Sequence, residues 1–237
     1  MDIQRIIKFL KAVSANNNRP WFQEHKAEYE ACKADFMAAV EELIVRLSAF
    51  DSSISHLTAK DCIYRFYRDT RFSEDKSPYK RHFGAYICEN GKKSLHAGYY
   101  IHIEPGKCFL SAGSYWLPTN ILTACRNEIM ANIAEWQKAV TGGKFVKLFG
   151  YPGEGKWSED SISEKGFGLS SLKVCPTGFP KDYEHIEYLR MKDYACWHVV
   201  DERFFENPKW MEQAIDIFKV CKPMMDFINS VVRDYDD

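Results

Sequence analysis

The sequence carries almost no net charge and contains no long apolar run. Its formal net charge is -1 over 237 residues, whereas proteins that bind nucleic acid usually show a basic domain or a basic stripe. Charged residues already interrupt the apolar ones in residues 1–11, and no stretch has the length that a membrane span or the core of a signal peptide needs. We therefore expect a cytoplasmic protein that binds neither nucleic acid nor a membrane.

Motifs of the common catalytic chemistries are absent as well. The eight cysteines include no C-x-x-C pair, which excludes zinc knuckles and, without a secretory signal, favours buried, reduced thiols over disulfides. There is no H-E-x-x-H, no G-x-S-x-G and no glycine-rich phosphate loop. We accordingly assign no metal ligand and no cofactor, and whether the protein is an enzyme stays open.

What the sequence does contain is typical of a folded globular chain. Hydrophobic residues make up 46% and charged residues 27%, an ordinary balance for a protein that buries a core. The length favours a single α+β domain over residues 1–237. Residues 150–181 are rich in glycine and proline and poor in periodic runs, so we expect an irregular excursion there that is also a candidate sub-domain boundary.

Apolar spacing predicts helices at both ends and in the middle of the chain. The predicted helices cover residues 3–13, 20–50, 118–142 and 208–233, the last interrupted or bent near Pro223. Runs rich in aromatic and β-branched residues predict strands over residues 62–67, 82–89, 94–104, 107–116 and 194–200. The expected fold is an antiparallel β-meander packed against long N-terminal, middle and C-terminal helices.

Two turn signals divide the predicted meander. Asn90-Gly91 predicts a hairpin, since both residues accept positive φ, and Pro105-Gly106 marks a second turn. If the second turn is tight, Tyr100 and His102 lie on a mixed polar face while Ile101 lies on an apolar one. The polar face has the composition of a ligand-facing surface.

The densest polar stretch lies between two predicted strands. Residues 60–82 hold seven basic and four acidic side chains, a local surplus of three positive charges. We call residues 68–80 the charged loop and predict that its cations bind a small anionic ligand bearing phosphate or carboxylate. The predicted ligand-binding residues are Arg68, Asp69, Arg71, Asp75, Lys76, Tyr79, Lys80 and Tyr100.

Three other interpretations remain open. The charged loop could be a structural network in which Asp69 and Asp75 pair with its cations. The chain could be a non-catalytic interaction module, although no protein partner follows from the sequence. Finally, Asp69, Asp75, His82 and His102 could hold a metal ion in a phosphoester hydrolase.

Five short motifs stand out along the chain. They are residues 16–22 (NNNRPWF), 68–80 (RDTRFSEDKSPYK), 98–100 (GYY), 176–179 (PTGF) and 188–190 (YLR). In this order they resemble the signatures of the domain-of-unknown-function 2461 family, which is mainly bacterial. The family has no established reaction, so the resemblance implies no catalytic residue.

Overall fold

The protein is described here from a computed structural model, which covers residues 1–158 and 161–236. It contains a five-stranded antiparallel sheet with helices before, between and after the strands, and the predicted α+β class is confirmed. Within the described residues, no helix has both the length and the apolar character that crossing a membrane requires.

Polar side chains set where the first helices begin. The Asp2 carboxylate accepts the N–H of Arg5 at 3.0 Å, and the Asn18 side chain accepts the N–H of Trp21 at 3.0 Å. The α-helices of the described residues are α1 (Ile3–Ala15), α2 (Arg19–Glu24), α3 (Lys26–Leu47), α4 (Ala59–Cys62), α5 (Thr119–Ala131), α6 (Ile133–Val140), α7 (Gly143–Phe149), α8 (Ile186–Arg190) and α9 (Trp210–Val232).

The sheet contains the predicted meander and two further strands. The strands are β1 (Phe83–Ile87), β2 (Gly98–Ile103), β3 (Cys108–Ser114), β4 (Lys165–Phe167) and β5 (Tyr194–Val200), in the order β1-β2-β3-β5-β4. Strand β4 pairs antiparallel with β5 and places Gly166 opposite Trp197. A Cβ at Gly166 would lie 2.0 Å from the Trp197 indole, so glycine is what allows the indole to cover this strand.

The second turn of the meander has the predicted form. The N–H of Lys107 donates to the carbonyl of Glu104 at 3.0 Å, and Gly106 between them has a φ of 73°. The His102 and Phe109 rings are stacked with centroids 4.4 Å apart, as expected for neighbours across this turn. On the other face the side chains are buried and apolar, among them Ile101, Ile103, Cys108 and Leu110.

The first turn of the meander differs from the prediction. Asn90 and Gly91 do have positive φ, 66° and 76°, but β1 and β2 are joined by residues 88–97 rather than by a tight hairpin. The N–H of Ala97 donates to the side chain of Asn229 at 2.7 Å. This bond satisfies the backbone N–H just before β2 begins, and both strands are shorter than predicted.

Three predicted helices have different bounds in the structure. The helix predicted over residues 20–50 is broken at His25 (φ -103°, ψ 16°), and the one predicted over residues 118–142 is broken at Asn132 (φ -123°, ψ 43°). Apolar spacing continues across both breaks, so periodicity alone does not reveal them. Conversely, α9 runs through Pro223 without interruption, because packing of its buried residues outweighs the one hydrogen bond that proline cannot donate.

The described residues form two compact units, each assembled from separate stretches of the chain. The first contains Met1–Lys92, Tyr100–Phe109 and Val200–Ile215. The second contains Lys93–Tyr99, Leu110–Val199 and the segment from Asp216 onward. The irregular excursion therefore lies within the second unit, and its residues 159 and 160 are outside the described ones.

Each unit has a core rich in aromatic side chains. In the first unit, the Phe22 ring stacks on Tyr79 with centroids 3.9 Å apart, and Phe66 packs on Phe83 at 5.2 Å. In the second, the fully buried Trp136 contacts the Tyr194 ring edge-on at 5.4 Å. These aromatic cores account for much of the apolar burial that stabilises each unit.

Candidate functional site

The charged loop leaves and re-enters the fold through two extended segments. The N–H of Arg68 donates to the carbonyl of Pro78, and the N–H of Lys80 donates to that of Phe66, both at 2.9 Å. The strand predicted over residues 62–67 is not formed, because α4 ends at Cys62 and only isolated bridges join this segment to its neighbours. The loop is thus closed at its base by backbone hydrogen bonds.

Within the loop, two of the predicted cations pair with the two predicted carboxylates. Arg68 contacts Asp75 at 2.5 Å, and hydrogen bonds from Ser77 and then from Arg68 hold the Asp75 pKa well below its usual range. Arg71 contacts Asp69 at 2.7 Å, and this bond lowers the pKa of Asp69 to about 2. The loop's own carboxylates therefore satisfy these two guanidinium groups.

Lys76 is also engaged inside the loop. Its ammonium donates to the carbonyl of Thr70 at 3.0 Å. Together with the two ion pairs, this bond stabilises the turn of the loop, which is the arrangement that the structural-network interpretation requires.

The exposed pair of Arg71 and Asp69 leads to a prediction. Because the Arg71 side chain is 76% exposed, solvent screens its ion pair with Asp69, and replacing it by alanine should lower the Tm of the protein only slightly at pH 7. The same substitution should raise the pKa of Asp69 from about 2 towards that of an ordinary carboxyl group, since Arg71 is the main cause of its low value. NMR titration of the carboxyl carbon measures this pKa. A large fall in Tm would contradict the prediction.

Tyr79 is part of the core rather than of the loop surface. Its ring is 2% exposed and stacks on Phe22. Its backbone is held by Asn17, whose side-chain amide donates to the Tyr79 carbonyl at 2.9 Å and whose side-chain oxygen accepts the Tyr79 N–H at 3.0 Å. Because successive residues of an extended chain point to opposite sides, this clamp directs the next residue, Lys80, away from the core.

Lys80 differs from the other cations of the loop. Its ammonium lies 5.2 Å from the centroid of the Tyr64 ring, and the side chain is half-buried. Burial, and then the nearby charge of Arg65, lower the Lys80 pKa. Among the residues that the structure describes, no carboxylate forms an ion pair with Lys80 or with Arg65.

Beside Lys80, one face of the sheet carries a chain of hydrogen bonds. The Tyr100 hydroxyl lies 2.8 Å from Nδ1 of His102, and Nε2 of His102 lies 3.0 Å from a carboxylate oxygen of Glu104. A carboxylate only accepts, so Nε2 carries the proton of that bond. Burial lowers the pKa of His102. The ring is therefore neutral at pH 7, and Nδ1 accepts the hydroxyl proton of Tyr100.

His82 lies against this chain from the neighbouring strand. Its ring centroid is 4.3 Å from that of His102. Burial, then the charges of His102, Lys80 and Lys107, lower the pKa of His82 to about 2. We call Lys80, His82, Tyr100, His102 and Glu104 the sheet-face cluster.

A glycine makes room for the cluster. A Cβ at Gly84 would lie 2.5 Å from the Tyr100 hydroxyl oxygen, so any larger residue would displace the ring. Gly84 occupies β1 beside β2, where Tyr100 lies. The absence of a side chain at this position lets Tyr100 lie against the neighbouring strand and reach His102.

The structure thus brings together some of the residues singled out in the sequence and separates others. Of the predicted ligand-binding set, Lys80 and Tyr100 belong to the sheet-face cluster, whereas Arg68, Asp69, Arg71, Asp75 and Lys76 hold the loop together and Tyr79 lies in the core. Of the four residues considered for a metal, His82 and His102 do meet.

Two contributors were missed at the sequence level. Glu104 was not considered as a ligand, although its spacing of two from His102 on a strand places both on one face. Asn17 contacts Tyr79 from 62 positions away along the chain, and no local pattern signals such a contact.

The fold and the cluster define an α+β protein with a group of interacting polar side chains on one face of an antiparallel sheet. The chain belongs to the DUF2461 family, described as conserved hypothetical protein, whose model matches residues 5–227. No curated protein and no solved structure shows a significant match to the chain.

Proposed function

We propose that the protein binds a small anionic ligand, bearing phosphate or carboxylate, at Lys80 on the sheet face. The observation that carries the proposal is the half-buried Lys80 ammonium, which has no carboxylate partner among the described residues. Partial burial of a charge is unfavourable unless an opposite charge compensates it. An anionic ligand would supply that charge.

The surroundings of Lys80 support the same reading. Arg65 lies close enough to lower the pKa of Lys80, and Lys107 is close enough to lower those of the two histidines. The guanidinium of Arg65 is exposed and lacks an ion-pair partner in the described part of the chain, so its fork is available to a carboxylate or phosphate. The proposed site is therefore smaller than the four-cation cluster and lies at the end of the charged loop.

A thermal-shift experiment tests this proposal. Phosphate, sulfate, nucleotides and sugar phosphates are added at constant ionic strength, because salt screens such contacts. At a concentration of roughly ten times its Kd, a bound anion should raise the Tm by about 3–5 °C. The wild type and Arg71→Ala should respond alike, because Arg71 is paired within the loop. Lys80→Met, which keeps the length of the side chain but removes its charge, should not respond.

The comparison of these variants separates the two main readings. If no anion raises the Tm of the wild type, or if Lys80→Met responds as strongly as the wild type, Lys80 is part of the scaffold. The non-catalytic interaction module then replaces the anion-binding site. If only Arg71→Ala loses the response to anions, the anion binds at the tip of the charged loop and not at Lys80.

A metal-dependent phosphoester hydrolase is the second candidate function. It is favoured by the convergence of His82, His102 and Glu104, because two imidazoles and a carboxylate are a common ligand set for catalytic metal ions. Hydrolysis of a chromogenic phosphodiester, with and without added Zn²⁺ or Mn²⁺, tests it. Activity that depends on the metal and disappears in His102→Gln would place the protein in this class.

We also infer a cytoplasmic location in a bacterial cell. The chain carries eight cysteines, seven of them buried, and such a set of thiols suits a reducing compartment. Mass measurement of the purified protein after thiol alkylation, with and without prior reduction, tests the thiol state. Two or more native disulfides would argue against a cytoplasmic location.

A further inference from the structure

The geometry points to a binding site for a divalent transition-metal ion among His82, His102 and Glu104. Each residue offers one ligand atom, and these three atoms all lie within 4.8 Å of one another. Metal–ligand bonds of about 2.0–2.2 Å place ligand atoms roughly 3.0–3.5 Å apart. Small side-chain movements would therefore bring the three ligand atoms to the distances that a bound ion requires. This inference does not depend on anion binding at Lys80.

The strands hold the three ligands in place before any ion arrives. His102 and Glu104 are two residues apart on one face of the chain, with Nε2 and the carboxylate already 3.0 Å from each other. His82 immediately precedes β1, the neighbour of β2. The Phe109 ring stacks on the His102 imidazole at 4.4 Å with an interplanar angle of 14° and limits its rotation.

Tyr100 is the positioning residue for the site. Its hydroxyl is bonded to Nδ1 of His102 at 2.8 Å, which leaves Nε2 directed towards Glu104. In metal sites the second ring nitrogen of a ligating histidine is commonly hydrogen-bonded in this way, and the bond sets the ring's orientation and basicity. With an ion on Nε2, the proton of His102 would move to Nδ1 and be donated to the Tyr100 oxygen.

The nearby lysines decide what else the ion would bind. Lys80 and Lys107 act electrostatically on both histidines, so they oppose a bare cation at this place. An anion bound to the open positions of the ion would offset that repulsion. We therefore expect the ion and phosphate to bind with positive coupling, each raising the affinity of the other.

Titration calorimetry with Zn²⁺, and visible absorption of added Co²⁺, test the metal site on the full chain. The wild type should bind one equivalent of ion, and His102→Gln and Glu104→Gln should each bind it at least about 100-fold more weakly. Tyr100→Phe should weaken binding by about 10–100-fold. Arg71→Ala, which changes a side chain that is paired with Asp69 within the charged loop, is the matched control and should retain metal binding. Circular dichroism confirms that each variant is folded.

The outcomes separate this inference from the proposed function. Phosphate should raise the metal affinity of the wild type but not that of Lys80→Met, whereas His102→Gln in the presence of chelator should still respond to phosphate. Equal metal affinity in the wild type and both ligand variants would overturn the metal site and leave anion binding untouched. Thiolate charge-transfer bands on adding Co²⁺ would also overturn it, because they would place the ion on a cysteine.

Discussion

Replacing Gly113 by alanine should destabilise the protein by at least about 4 kcal/mol, or prevent it from folding. Gly113 lies in β3 with a φ of 106°, and a Cβ there would be 2.0 Å from the carbonyl oxygen of Tyr194 and 3.1 Å from the Cα of Ala195. Both are backbone atoms of the neighbouring strand β5, so no side chain can rotate away to relieve the overlap. Urea unfolding followed by tryptophan fluorescence measures the change.

Gly178 provides the matched control for this prediction. It also has a positive φ, 89°, but within the described residues no heavy atom, apart from those of its two chain neighbours, lies within 4 Å of where its Cβ would be. Gly178→Ala therefore isolates the conformational cost of a left-handed backbone, about 1–2 kcal/mol. If Gly113→Ala costs no more than Gly178→Ala, the two strands can separate locally and the close approach does not limit folding. If Gly113→Ala accumulates only as insoluble protein, its soluble fraction relative to Gly178→Ala gives the comparison.

The meander was predictable because its signals are local. Pro105 supplies the fixed φ and Gly106 the positive φ that a tight turn needs. The alternation of side chains along the strand before this turn places Ile101 and His102 on opposite faces of the sheet. Strand β5 was predicted with its observed bounds for a similar reason. In contrast, β4 has only three residues, which is too short a run for alternation to be recognised.

The charged loop shows why the candidate site was harder to predict. Composition gives the number of charges, but not the partner of each one. Asp69 and Asp75 neutralise Arg71 and Arg68 within the loop, and only Lys80 of the four predicted cations joins the sheet-face cluster. Its direction is set by tertiary contacts, which no local pattern encodes.

One of these contacts is the Asn17 clamp on the Tyr79 backbone, and it carries the second prediction. Asn17→Ala should lower the free energy of unfolding by about 3 kcal/mol, because it leaves a backbone N–H and a backbone carbonyl of a buried residue without their partners. The same change should reduce the stabilisation that phosphate produces, since Lys80 follows Tyr79 directly and would lose its fixed direction. Denaturant unfolding with and without phosphate measures both effects.

Substituting the neighbouring Asn16 distinguishes the loss of the clamp from a general effect of changing an asparagine within residues 16–22. Asn16 is exposed, and its side-chain amide donates to the carbonyl of Ala12, in α1, at 3.1 Å, so Asn16→Ala should be close to the wild type in stability and in its response to phosphate. Asn17→Asp keeps an acceptor for the Tyr79 N–H but places a carboxylate oxygen against the Tyr79 carbonyl, and it should be destabilising as well. If Asn17→Ala loses stability yet responds fully to phosphate, the clamp supports the fold but does not position Lys80. If Asn17→Ala is as stable as Asn16→Ala, the two hydrogen bonds contribute nothing and the clamp is refuted.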